Sequence, residues 1–176
     1  MRIRSLLKAL ALMPALLAAP LQADAQGAQI GFGNAEHDSS LPVEVSADQL
    51  DVNQSDGRAV FTGNVVVGQG AMRLTGGEVE VEYGESAGGE TEVTRLHATG
   101  GVTLFNGSEA AEAQEAVYTI ASGEVVMTGE VVLTQGDNAM AGEKLTVNLE
   151  TGTGVMEGRV RVVFKPQDAP QPDQGQ

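Results

Sequence analysis

The 176-residue sequence has no cysteine and no tryptophan, and aromatic residues make up only 3% of it. Without cysteine, the chain has no disulfide, no thiol nucleophile and no cysteine-based metal site. Positive charge is also scarce, since 10 lysines and arginines stand against 24 aspartates and glutamates, giving a net charge of −14. Such an acidic surface repels nucleic acid and anionic membranes. We therefore expect no nucleic-acid partner.

Sequence motifs that carry chemistry are equally rare. The two histidines are His37, in a polar stretch near the N-terminus, and His97, in a stretch that alternates as a strand does. H-E-x-x-H does not occur, and the one G-x-S-x-G match, GESAG in the polar stretch 84–92, is not followed by the helix pattern that a nucleophile elbow needs. Carboxylates such as Glu78 and Glu80 alternate outward, as on a solvated strand face. The sequence thus predicts no catalytic residue, no metal site and no cofactor, and we expect the protein not to be an enzyme.

The N-terminus has the three parts of a secretory signal peptide. Arg2, Arg4 and Lys8 supply positive charge, Leu6–Leu17 is apolar, and Ala23–Ala25 (ADA) offers a small-residue cleavage site. The apolar run is too short to span a membrane. We therefore expect residues 1–25 to be a signal peptide, and its removal would take away three cations and one aspartate and change the net charge from −14 to −16.

The rest of the sequence divides into three parts. Residues 26–41 are polar, contain glycine and lack periodicity, so we expect a flexible leader. Residues 42–165 are rich in valine, threonine and glycine, which favours short strands and turns. Residues 166–176 (PQDAPQPDQGQ) have no apolar anchor and are expected to form a disordered tail.

A repeat organises the central part. Four segments share a glycine, one variable position and an apolar-x-apolar triplet, and their glycines are Gly63, Gly100, Gly129 and Gly158. The spacings are 37, 29 and 29 residues, and we interpret the polar stretch 84–92 as a loop inserted in the longer interval. A glycine inside a strand usually marks a bend or a close backbone approach. We therefore predict an all-β fold whose strand-turn-strand units each turn a corner, in a sandwich, jelly roll or solenoid.

Alternation along these strands predicts one apolar face. The residues expected to line the interior are Val45, Leu50, Val52, Val65, Val67, Val79, Val81, Val102, Leu104, Tyr118, Val131, Leu133, Leu145 and Val147. Val60, Val126 and Val155 are assigned to the same face. Because most of these side chains are of medium size, they can close into a dry core or leave a slot for apolar chains, and the residues alone favour the closed core.

Two pairs of segments in this domain resemble a known family. Val45–Leu50 (VSADQL) and Ala59–Val67 (AVFTGNVVV) resemble the start of the OstA-like domain of periplasmic lipopolysaccharide-transport proteins. Ala141–Leu145 (AGEKL) and Gly158–Val160 (GRV) resemble the pattern near its end, and the resemblance extends over about residues 42–164. It implies a β-jelly roll of stacked antiparallel strands, open at both ends, with an apolar interior groove.

The resemblance also implies a function. Members carry lipopolysaccharide from the inner to the outer membrane, so the implied location is the periplasm and the interior residues become candidate lipid-binding residues. The implied partners are an inner-membrane anchored and an outer-membrane transport protein that share the fold and join by edge-strand addition; the same geometry allows head-to-tail self-association. The candidate partner edges are Val43, Val45, Val160, Val162 and Phe164. The alternative is a structural or adhesive β-repeat protein without a ligand.

Overall fold

The computed structural model describes residues 27–33, 37–53, 55, 57–85 and 88–165, and this part of the chain is all-β. The expected signal peptide, residues 1–25, and tail, residues 166–176, lie outside the described residues. One 3-10 turn, Ile120–Ser122, interrupts the strands. The strands are β1 (Ala28–Gly31), β2 (Glu44–Ser46), β3 (Gln49–Asn53), β4 (Arg58–Gln69), β5 (Met72–Glu85), β6 (Thr91–Asn106), β7 (Glu109–Thr119), β8 (Glu124–Gln135), β9 (Asn138–Asn148), β10 (Thr153–Glu157) and β11 (Arg161–Val163).

The eleven strands form one antiparallel sheet that folds over on itself. Its order is β1-β10-β9-β8-β7-β6-β5-β4-β2, with β3 also paired to β4 and β11 also paired to β9. Each ladder from β4–β5 to β8–β9 shifts register near the middle of its strands, so each of the strands β4 to β9 contributes one half to each of two facing layers. Layer 1 ends in β3 at one side and β1 at the other, whereas layer 2 ends in β2 and β11. The predicted all-β jelly roll is confirmed.

The repeat glycines lie at the corners where strands cross from one layer to the other. Gly63 and Gly129 have φ angles of 81° and 85°, and the residues that follow them, Asn64 and Glu130, are also left-handed, with φ of 46° and 51°. Two consecutive left-handed residues insert a bulge, which bends a strand sharply. The register shifts at these positions, between Thr62 and Val65 in β4 and between Thr128 and Val131 in β8. The predicted corner is confirmed, and its variable position proves to be the second residue of the bulge.

The stretch expected to be a flexible leader is partly built into the fold, so that expectation is wrong for its described residues. Residues Ala28–Gly31 form β1, which pairs with β10 in the register Gly31↔Thr153. The next residue, Phe32, is completely buried, and its amide donates to the carbonyl of Gly152 over 2.9 Å. The short sequence of β1 shows no sustained alternation of apolar and polar residues that would predict a strand. Its pairing partner, β10, lies more than a hundred residues away in the sequence.

The insertion at 84–92 is also different from the expected loop. β5 runs to Glu85 and β6 begins at Thr91, with the pairs Gly84↔Glu92 and Glu85↔Thr91. The extra residues therefore lengthen the β5–β6 hairpin beyond the other hairpins. A register shift between Glu82 and Tyr83 marks where the extension starts.

Candidate functional site

The interior between the two layers is the largest apolar feature of the described chain. Eleven of the fourteen residues expected to line it are at most 1% exposed. These are Val65, Val67, Val79, Val81, Val102, Leu104, Tyr118, Val131, Leu133, Leu145 and Val147. The layers therefore pack face to face in this structure, as the residues alone had suggested.

The other three predicted lining residues lie at one end of the jelly roll. Val45, in β2, is half-buried and packs against the core. Leu50 and Val52, in β3, are 51% and 62% exposed, so they are not buried as an enclosed interior would require. Their partners across the ladder, Phe61 and Ala59, point inward, so Leu50 and Val52 share the interior face. Nothing among the described residues covers them, because β3 is the last strand of layer 1.

The inward assignment of Val60, Val126 and Val155 is wrong. These residues are only half-buried, whereas their neighbours Ala59, Val125, Met127 and Met156 are buried. The alternation runs unbroken through each corner glycine, so residues at even distances from Gly63, Gly100, Gly129 and Gly158 face inward. The same rule, applied before and after each corner glycine, identifies buried interior residues that were not predicted from the sequence, including Leu96, Ala98 and Gln69. Phe32, Met72 and Leu149 are also buried core residues that it missed.

A row of amide side chains lines the long open side of the fold. We call this side the mouth and define it by Gln69, Asn106 and Gln135. Six residues after the corner glycines stand Gln69, Asn106 and Gln135, near the ends of β4, β6 and β8 in layer 2. Gln69 and Asn106 are buried, at 1% and 5% exposure. Gln69 is tied to layer 1 because the Tyr118 hydroxyl donates to its Oε1 over 2.6 Å. The mouth is therefore a polar rim above an apolar interior.

The N-terminal segment lies along this mouth. Gln135 Nε2 donates to the Gly31 carbonyl over 2.6 Å, and the Gly33 amide donates to Glu109 Oε2. Further along, Gln69 Nε2 donates to the carbonyls of Ser39 and Leu41, each over 2.8 Å. The described parts of this segment, residues 31–33 and 37–41, therefore lie on the rim of the interior, the first beside Gln135 and the second beside Gln69.

His37 joins this segment to layer 1. Its Nε2 lies 2.9 Å from the Tyr118 hydroxyl. Because that hydroxyl donates its hydrogen to Gln69, its oxygen is left to accept one, so His37 Nε2 carries the proton. Burial lowers the pKa of His37 and raises the pKa of Tyr118, so both groups are held in their neutral forms.

The two ends of the jelly roll carry free strand edges of opposite charge. At one end β2 and β3 bear Glu44 and Asp51, with Asp48 between them. At the other end Arg161 lies in β11, and the flanking Arg159 and Lys165 form exposed ion pairs with Glu143 and Asp137, at 3.5 and 3.1 Å. The expected edge residues lie at these ends: Val45 is in β2 and Val43 just before it, whereas Val162 is in β11 and Val160 and Phe164 flank it. Phe164 is 72% exposed. The edges of β1 and β3 were not anticipated from the sequence.

Metal and membrane features are absent from the described ranges. Within residues 27–33, 37–53, 55, 57–85 and 88–165, no group of histidines and carboxylates is arranged to hold a metal ion. In the same part of the chain, no helix is long and apolar enough to cross a bilayer.

The family of the chain follows from residues 44–153, which cover most of the jelly roll. They match the family described as LptA/(LptD N-terminal domain) LPS transport protein. The chain belongs to this family. The LptA/LptD N-terminal family is thus the one that the repeat and the resemblance indicated, and its description is that of transport proteins.

Individual members show the same relationship. An uncharacterised protein of Rhizobium meliloti (strain 1021) is 29% identical over 134 residues, which are 72% of this chain and 72% of that protein. The lipopolysaccharide export system protein LptA of Escherichia coli (strain K12) is 30% identical over 115 residues, or 62% of this chain and 60% of LptA. The crystal structure of LptH, the LptA homologue of the Pseudomonas aeruginosa lipopolysaccharide transport device, matches with a TM-score of 0.64 at 22% identity. This match covers 74% of this chain and 99% of LptH, and it shows the shared fold.

Proposed function

We propose that this protein binds lipopolysaccharide in the periplasm and passes it from the inner towards the outer membrane, with the acyl chains between the two layers. The observation that carries the proposal is the uninterrupted apolar interior, which reaches from the buried β10 residue Met156 to the uncovered Leu50 and Val52 of β3. Membership of a lipopolysaccharide-transport family supports the choice of ligand.

The energetics of such a carrier rest on exchange between like sites. Burial of an acyl chain is favourable by roughly 0.8 kcal/mol per methylene. A chain held that firmly leaves only when a neighbouring site offers an equivalent apolar lining, so transfer between two jelly rolls of this kind is close to isoenergetic. Since the interior is closed here, the layers must separate along the mouth as the chains enter. The sugar and phosphate headgroup stays in water, because the acidic chain offers few cations to bind it.

The free edges supply the means of joining such sites into a bridge. A strand with an open edge can pair with an edge strand of another chain and continue the sheet. We propose that β2 and β3 meet one partner of the same fold and that β1 and β11 meet another, which places membrane-bound transport proteins at the two ends. The opposite charges of the ends also favour head-to-tail association of identical chains.

One observation favours a second candidate. Eleven of the fourteen predicted interior side chains are at most 1% exposed, as expected for a structural or adhesive β-repeat protein whose core never opens. The exposed interior-face residues Leu50 and Val52 count against it, since a self-contained repeat protein normally caps its terminal units with polar residues.

Depletion of the protein from its own cells tests the transport role. We expect newly made lipopolysaccharide to stop reaching the cell surface and to accumulate at the inner membrane, and expression of the intact gene from a plasmid to restore export. Normal surface delivery in depleted cells would rule out the bridge and leave the structural candidate.

A further inference from the structure

The amides of the mouth repeat with the fold. Gln69, Asn106 and Gln135 occupy one equivalent position in three units, and their strands β4, β6 and β8 are separated by single intervening strands. Neighbouring amides therefore lie roughly 10 Å apart along the rim. In the fourth unit the same position is Phe164, so the row ends there. The interior residues two and four positions earlier are aliphatic in every unit. Packing of the two layers therefore does not by itself require an amide at this position.

In the present structure two of these amides donate to carbonyl oxygens of the N-terminal segment, and Gln135 Nε2 also donates to the Glu109 carboxylate over 2.9 Å. Gln135 Nε2 donates to the carbonyl of Gly31, and Gln69 Nε2 donates to the carbonyls of Ser39 and Leu41. The contacts come from one segment, whose described parts are Gly31–Gly33 and His37–Leu41 and which we call the strap. Only backbone oxygens of the strap accept from these amides, so the bonds do not depend on its sequence.

Asn106 is the exception in the row. It is 5% exposed, and its Nδ2 is buried without a hydrogen-bond partner among the described residues. Gly33 of the strap passes so close that a Cβ on it would collide with this nitrogen, yet offers it no acceptor. A buried amide donor left unpaired is unfavourable and points to a partner missing from the present arrangement.

We propose that the strap is a built-in occupant of the mouth, and that carbonyl groups of an incoming lipid replace it on Gln69, Asn106 and Gln135. This inference rests on the proposed function. An acyl chain is attached to its headgroup through a carbonyl, so chains lying in the interior would bring these oxygens to the rim. The lipid would thereby displace the strap and also satisfy Asn106. The strap closes the interior when no ligand is present and competes with loading.

Two substitutions separate this competition from a purely structural role. His37→Ala removes the bond to Tyr118 and loosens the strap while leaving all three amide residues in place, so lipopolysaccharide should bind about three- to tenfold more tightly. Asn106→Leu keeps the size of the side chain and removes a donor that the strap leaves unpaired. Lipopolysaccharide should therefore bind about three- to tenfold more weakly to this variant, while its thermal stability stays equal or rises. Thr134→Ala, at an exposed residue outside the strap, is the matched control and should change neither.

The movement itself can be measured in the full mature chain, because the absence of cysteine allows one specific label. A nitroxide on Ser40→Cys should gain mobility when purified lipopolysaccharide is added, whereas the same label on Thr134→Cys, on the outer face of layer 2, should not. If His37→Ala fails to fold, Leu41→Ala supplies the second strap variant.

The outcomes distinguish the two proposals. If lipopolysaccharide binds but the Ser40 label does not respond and both substitutions leave the affinity unchanged, the strap is a fixed closure and this inference fails while the proposed function stands. If neither the native chain nor any variant binds lipopolysaccharide, the proposed function fails and the inference fails with it.

Discussion

At the scale of single residues, the fold depends on pairs of left-handed residues at its corners. Gly129 has a φ of 85°, and a Cβ built on it would lie 2.9 Å from the Cβ of Gln114 on the neighbouring strand. Gly101 has a φ of 81°, but a Cβ there would meet nothing within 4 Å. The two glycines share the same backbone requirement and differ in the space around them.

This contrast gives a stability prediction. Gly101→Ala should lower the free energy of unfolding by about 1–2 kcal/mol, the cost of a left-handed alanine. Gly129→Ala should lower it further, because Gln114 must also move. Urea denaturation of both variants measures the two losses in the free energy of unfolding. Equal losses would show that the close contact with Gln114 does not add to the cost at Gly129.

His37 gives a second prediction at this scale, on pH. Its pKa is lowered from 6.5 by burial, while Glu150 and Asp38 act in the opposite direction and Tyr118 is neutral. The docked strap therefore favours neutral His37, so this contribution is complete above the unfolded pKa and is lost as pH falls through the folded pKa.

The Ser40 label described above should accordingly become more mobile on acidification below about pH 6.5, the ordinary pKa of histidine. In a His37→Gln background the same titration should show no such increase in mobility. An identical acid response in the two backgrounds would contradict the assignment of the switch to His37.

At the scale of strands and repeats, much of the architecture could be predicted from the sequence. The recurring glycines indicate where strands turn, and the apolar residues at +2 and +4 identify the interior after each corner. Which residues face inward before each corner was harder to predict. Two adjacent valines, such as Val125 and Val126, do not show by themselves which one points to the interior. Only continuation through Gly129 shows that Val125 and Met127 face inward.

The N-terminal elements could not be predicted, for a different reason. β1 and the strap are held by contacts to residues distant in the sequence, such as Gly31↔Thr153 and Gln69 to Leu41. Most of these contacts use the strap backbone, which leaves no pattern of side chains to recognise. Phe32 was the one available signal, as one of only four phenylalanines in the chain.

Burial of the leucine side chains differs between β8 and β3, and this difference predicts how much each strand contributes to stability. Leu133, in β8, is 1% exposed, so Leu133→Ala should cost about 2–5 kcal/mol of stability through the cavity it leaves. Leu50, in β3, is 51% exposed, so Leu50→Ala should change stability by less than about 0.5 kcal/mol. Chemical denaturation measures both. A large loss from Leu50→Ala would mean that this end of the interior is covered.

At the scale of the whole molecule, the charges of the two ends define a direction. Glu44, Asp48 and Asp51 stand at the β2–β3 end, and Arg159, Arg161 and Lys165 at the β11 end. Both ends also carry exposed apolar side chains, Leu50 at one and Phe164 at the other. In the proposed head-to-tail association, the acidic strands β2 and β3 of one copy would meet Arg161 in β11 of the next.

Charge reversal at one end tests this polarity. Arg161→Glu should weaken self-association measured by sedimentation, and added salt should reduce the difference because exposed charges are screened. Arg95→Glu, in β6 between β5 and β7 of layer 1 and away from the free edges, makes the same change in net charge and should leave association unaltered. Equal weakening by both variants would indicate a general effect of net charge.

The central claim is that acyl chains lie between the two layers, and site-specific photo-crosslinking tests it most directly. A photoreactive residue placed at Val52 or Leu133, on the interior face, should form adducts with lipopolysaccharide in cells. The same residue at Glu80, on the outer face of layer 1, should form none. Adducts from Glu80 alone, or from no position in variants that fold, would contradict the account.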